Sequence, residues 1–108
     1  MTKQESAQRV ADKLFATERA VDDAMIQAAQ LIEAMVSGRR EMELSSTVGE
    51  VAQSRAAEAI GALAEARRSV MATHAALAHL RKDLGLTTAI GDDSGKPTQA
   101  NSDLRAVS

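Results

Sequence analysis

The sequence predicts an all-α fold: an antiparallel two-helix hairpin of coiled-coil type, expected to dimerise into a four-helix bundle. Three observations carry this expectation. Ala52, Ala56, Ala59, Leu63, Ala66, Val70, Thr73, Leu77, Leu80 and Leu84 recur in steps of three and four without losing phase, the period of a heptad seam on one long helix. Ala7, Val10, Leu14, Thr17, Val21, Ala24, Ala28, Leu31 and Met35 keep the same spacing in the first half, so each stripe has a mate. The pattern breaks once between them, at Ser45, Ser46 and Thr47, and a short connection makes successive helices antiparallel neighbours.

Helix 1 is predicted over about residues 3–44. Thr2-Lys3-Gln4-Glu5 fits a capping box, in which the Thr hydroxyl and the Glu carboxylate satisfy each other's backbone amides. Gly38 costs about 1 kcal/mol of helix propensity relative to Ala. Met42 is still in phase four residues later, which carries the helix past the glycine. The alternative ends it at Gly38 and leaves Arg39 to Leu44 as loop, because glycine also favours the position just past a helix end.

Helix 2 is predicted over about 47–84. Thr47-Val48-Gly49-Glu50 repeats the T-x-x-E pattern at its start. Arg81 and Lys82 suit the negative end of the helix dipole. Gly85 suits the left-handed position after the last turn, with Leu86 folding back onto Leu80. Residues 85–90 are read as a short cap, making 1–90 one helical domain. Residues 91–108, from Gly91-Asp92-Asp93-Ser94-Gly95-Lys96-Pro97 onward, have no period and read as a flexible tail.

With the turn near Ser45 and Ser46, facing residue numbers should sum to about 91. That sets Met35 and Leu31 opposite Ala56 and Ala59, Thr17 opposite Thr73, and Leu14 opposite Leu77. Large against small lets the layers interdigitate.

A second apolar stripe lies beside the first. With Ala7, Leu14, Val21, Ala28 and Met35 as the a positions of helix 1, its e and b positions include Ala11, Phe15, Glu18, Asp22, Met25, Ala29, Ile32 and Val36. With Ala56, Leu63, Val70, Leu77 and Leu84 as a in helix 2, the corresponding positions include Ile60, Ala64, Arg67, Met71 and His74. One apolar face beyond the hairpin's own seam is what an isologous dimer requires. These thirteen residues are therefore the expected dimer or partner interface, with Phe15 as its anchor. A different protein on the same face is the competing occupant. The opposite flank, with Lys13, Asp23, Gln27, Arg55, Glu58 and Glu65, is expected to face water.

Composition bounds the chemistry. The 108 residues include one Phe, no Trp, no Tyr and no Cys. A core this poor in large side chains is thin, and small domains often compensate by oligomerising. Without Cys there is no disulfide and no thiolate nucleophile. A polar N-terminus and the lack of any apolar run near the ~20 residues of a membrane span point to a cytoplasmic protein with no membrane partner. His74 and His79 are five apart, which at ~100° per residue puts them on different sides of a helix. No metal, cofactor or catalytic residue is therefore assigned. Glu18, Asp22, Arg67 and His74 are read as polar positions that fix register rather than as a pH-sensitive site.

The functional expectation is a non-enzymatic protein–protein interaction or scaffolding module, acting as a homodimer. The alternative is a small nucleic-acid-associated regulator using Arg39 and Arg40 near the turn. A formal net charge of −2 and the lack of aromatic residues beside the basic doublets argue against nucleic acid as partner.

Overall fold

The computed structural model describes residues 2–87 of the chain. Two helices, α1 (Lys3–Glu41) and α2 (Glu50–Leu84), form these residues with no strand among them. They pack against each other as a helical hairpin. The tail expected at 91–108 and the end of the expected 85–90 cap lie outside the described residues.

Helix 1 begins as its sequence indicates. Thr2 N donates to Glu5 Oε1 at 2.8 Å, and Glu5 N donates to Thr2 Oγ1 at 3.0 Å. The reciprocal box thereby satisfies two of the donors that a helix start leaves open. The helix runs through Gly38, whose carbonyl still accepts from Met42 N at 3.0 Å. It then closes in a Schellman arrangement: Glu43 N donates to Arg40 O and Leu44 N to Arg39 O, each at 3.0 Å. The residue in the left-handed position is Glu43, at φ 55°. The expected continuation to Leu44 thus stops at Glu41, because the last open carbonyls are satisfied by turning rather than by a further helical turn.

The second capping box does not form. Thr47 Oγ1 lies 3.1 Å from Ser45 Oγ, and Thr47 N donates to the same Ser45 hydroxyl at 3.3 Å. The Ser and Thr side chains fold onto the turn itself, as such residues do when a local backbone partner is in reach. Gly49, at φ 78°, takes the position before the helix, and its carbonyl accepts from Gln53 N at 2.9 Å. Helix 2 therefore starts at Glu50 and not at Thr47. At its far end Gly85 takes the left-handed position as expected, at φ 69°, with Gly85 N donating to Lys82 O and Leu86 N to Arg81 O.

The chain divides into two compact units, and the packing within each is set by which helix face is buried. In the first unit, residues 2–17 and 70–87, Ala11 and Leu14 are the buried core. Phe15, Val70 and Leu77 are half-buried against them. The Phe15 and His74 rings meet edge to face at 5.9 Å. Gln4 and Thr87 are joined through the Gln4 amide, whose Nε2 donates to Thr87 O at 2.9 Å. In the second unit, residues 18–69, no side chain is fully buried. Its covered positions are half-buried ones, among them Val21, Met25, Ala28, Ile32, Met35, Ala56, Ile60 and Leu63.

These burials correct the predicted seam. On helix 1 every member of the series Ala7, Ala11, Leu14, Glu18, Val21, Met25, Ala28, Ile32, Met35, Arg39 is buried or half-buried. On helix 2 the series Gln53, Ala56, Ile60, Leu63, Val70, His74, Leu77, Arg81 is half-buried. The a positions hold except Leu84, which is 61% exposed, and they pair mainly with e; of the d positions on helix 1 Ala24 is half-buried. Val10, Leu31 and Leu80, expected in the seam, are 47%, 54% and 48% exposed. Ala52, Ala59, Ala66 and Thr73 are exposed as well. Thr17 is exposed and donates to Lys13 O in its own helix, so no buried threonine pair forms.

Side-chain size accounts for the choice around Met25, Ile32 and Ile60. The d positions of helix 2 offer mostly alanine, whereas e offers Ile60, and helix 1 adds Met25 and Ile32. A methyl group covers little area, and stabilisation follows area at about 25 cal/mol per Å². The polar residues at e, such as Glu18, Arg39 and Arg81, have long apolar stems that lie along a seam while their heads reach its edge.

Candidate interaction surfaces

The thirteen residues expected to form an intermolecular face are distributed by this register. Ala11 is fully buried within its own chain. Glu18, Met25, Ile32, Ile60 and His74 are half-buried at e positions of the chain's own seam. Phe15, Val36 and Ala64 are half-buried at its border, whereas Asp22, Ala29, Arg67 and Met71 are exposed. Asp22 and Arg67 meet across the hairpin at 3.6 Å, within the second unit. This contact joins two of the expected interface residues to each other, and as an exposed pair it contributes little stability.

Some of the remaining exposed charges pair along their own helix. Arg55 pairs with Glu58 at 2.9 Å, Arg68 pairs with Glu65, and His79 Nε2 lies 3.9 Å from Asp83 Oδ2. Lys13, Asp23, Gln27, Arg55, Glu58 and Glu65 are all exposed, as the solvent flank requires. Of the two turn-side arginines, Arg40 is exposed. Arg39 is half-buried, with its Nε buried and without a hydrogen-bond partner.

Two apolar surfaces stand out that the sequence pattern did not single out. In the second unit, Met42, Leu44, Val48 and Val51 are between 41% and 73% exposed around the turn. The first unit carries an open groove of about 520 Å³, lined by Ala7, Val10, Leu77, Leu80, Leu84 and Leu86 with Thr2, Lys3, Ser6 and Arg81. The groove exists because the d residues Val10 and Leu80 fall outside the a/e seam and the a residue Leu84, in the last turn of α2, is left uncovered; the Gly85 turn brings Leu86 to its lining. Val10, Leu80 and Leu84 were visible in the sequence as apolar a and d positions, but the a/d reading had assigned them to the interior.

Comparison with protein families, with curated proteins and with solved structures gives no match. The surfaces are therefore read from chemistry alone. Among the described residues no cluster of His, Asp or Glu could hold a metal ion, and no helix is long and apolar enough to cross a membrane. What the geometry offers is apolar area edged by charge.

Proposed function

We propose that this chain is a non-enzymatic protein–protein interaction module that self-associates as a homodimeric helical bundle. One observation carries the reading: among the described residues only Ala11 and Leu14 are buried, while ten large apolar side chains are at least 41% exposed. Fully burying such a side chain is worth about 1.5–3 kcal/mol, so a large part of that stabilisation is unrealised in the single chain. Oligomerisation is one way for a small chain to recover it, and two-fold dimers are the commonest homo-oligomers. Of the ten only Met71 belongs to the predicted face, with Ala29 exposed and Phe15, Val36 and Ala64 half-buried beside it, so the interface would draw on these and on further exposed apolar side chains outside that face.

Sedimentation equilibrium of the full chain over a micromolar concentration series tests the proposal. A mass of two chains that falls toward one on dilution is expected. A single-chain mass across the series refutes self-association.

A further inference from the structure

The three residues that follow α2 are fastened from both helices of the first unit. Gly85, at φ 69°, turns the chain out of α2. Leu86 N then donates to Arg81 O at 3.0 Å, and Leu86 O accepts from Arg81 Nη1 at 3.0 Å, so one residue of α2 holds both backbone groups of Leu86. From α1, Gln4 Nε2 donates to Thr87 O at 2.9 Å, and Gln4 Oε1 accepts from Thr87 N at 3.5 Å. The Gln4 amide thus meets Thr87 with a donor and an acceptor together, as the two residues of a hydrogen-bonded strand pair do. Between these fastenings Leu86 is half-buried and lines the groove with Val10, Leu80 and Leu84.

We propose that residues 85–87 are a strap, hinged at Gly85 and latched by Gln4, that opens and closes one side of the groove while both helices stay folded. Three physical arguments favour a moving part here. The hinge is free: a Cβ built on Gly85 meets no atom within 4 Å, so no packed neighbour has to shift when its backbone turns. The latch is weak: Gln4 and Thr87 are both exposed, and a neutral hydrogen bond shifts an equilibrium by only about two- to tenfold. The closed form also carries a cost. While Arg81 Nη1 is committed to Leu86 O, Arg81 Nε is buried without a hydrogen-bond partner, and release of the strap lets the guanidinium turn toward water. Against these stands the partial burial of one leucine side chain. The bodies of the helices are held by consecutive backbone bonds and, in this unit, by Ala11 and Leu14, so the strap belongs to the low end of local stability. The groove then has two forms. With the strap closed, Leu86 is one of its walls; with the strap open, that wall is gone and Leu80 and Leu84 are bared further. The device does not rest on self-association of the chain.

Amide exchange with water, read by nuclear magnetic resonance on the isotope-labelled full chain, tests the strap. Gln4→Ala removes the latch at an exposed position where Ala is a good helix former. The Leu86 and Thr87 amides should then exchange faster together, by about two- to tenfold, while those of Val70 and Leu77 within α2 stay unchanged. The methyl signals of Leu80 and Leu84 should shift, and those of Leu31, in the second unit, should not. Gly85→Ala perturbs the hinge with Gln4 in place. A left-handed φ disfavours a residue with a Cβ by about five- to thirtyfold, so the same two amides should respond again. Faster exchange at Thr87 alone would overturn the proposal, because Leu86 and Thr87 would not move as one. Faster exchange shared by Val70 and Leu77 would overturn it too, since release would then be unfolding of the helix. Unchanged exchange at both strap amides in either variant would show that the hinge or the latch does not set the position of Leu86, and the strap would be refuted.

Discussion

Replacing Leu14 by Ala tests the packing most directly, because Leu14 is 6% exposed and forms the core of the first unit with Ala11. The substitution removes the buried isopropyl end of a side chain that Val70, Leu77 and Phe15 pack against. Buried Leu→Ala changes cost roughly 2–5 kcal/mol, depending on how far the surroundings collapse. A two-helix layer can close in from one side, so about 3 kcal/mol is expected, a large fraction of the ~5–15 kcal/mol that holds ordinary domains. Leu31→Ala is the matched control, since the heptad pattern would place Leu31 in the seam but it is 54% exposed. Its cost should stay below about 1 kcal/mol, because much of its surface is already hydrated and Ala is the better helix former. Ile32→Ala, one residue along and half-buried, should fall clearly above Leu31→Ala. Urea unfolding followed by far-ultraviolet circular dichroism, at a dilute and a higher protein concentration, measures all three. Equal costs for Leu31→Ala and Leu14→Ala would refute the a/e seam.

Three further outcomes follow from local geometry. Gly38 and Gly61 both lie inside helices, and a Cβ added at either meets no atom within 4 Å; each Gly→Ala change should therefore raise stability by about 1 kcal/mol in the same unfolding assay. Glu43 holds a left-handed φ of 55°, so Glu43→Gly should stabilise the turn by up to about 1 kcal/mol, and a loss would show that its side chain supplies something the backbone does not. The Glu5 carboxyl is held below its ordinary range, first by the Thr2 amide and then by the Thr2 hydroxyl. A folded-state pKa below the unfolded one means that the box stabilises the helix start above the unfolded carboxylate range. That support is lost as pH falls through the folded pKa. In a nuclear magnetic resonance titration, Thr2→Ala should move Glu5 part of the way back up, and an unmoved Glu5 would exclude the hydroxyl as a cause.

The helices, the antiparallel order and the outer ends were legible in local chemistry. Thr2 with Glu5, and Gly85 with Arg81, act within one turn of chain, so their geometry follows from residue type and spacing. The same reasoning failed at Thr47, where T-x-x-E was present but Ser45 competed for the hydroxyl at 3.1 Å. For the interaction surfaces, the apolar side chains could be listed from the pattern, but their division between interior and exterior could not. Val10, Leu31 and Leu80 looked internal and are exposed, whereas Met25, Ile32 and Ile60 looked external and are half-buried.

The sequence by itself determined that two long helices form, because period, capping and glycine placement are properties of neighbouring residues. Tertiary structure alone decided which stripe faces inward. Both the d and the e positions carry enough apolar residues to continue the a series, and a helix can present either by rotating about its axis. The choice goes to the rotation that removes more apolar area from water once both helices are in place, and that quantity belongs to the pair rather than to either strand of sequence.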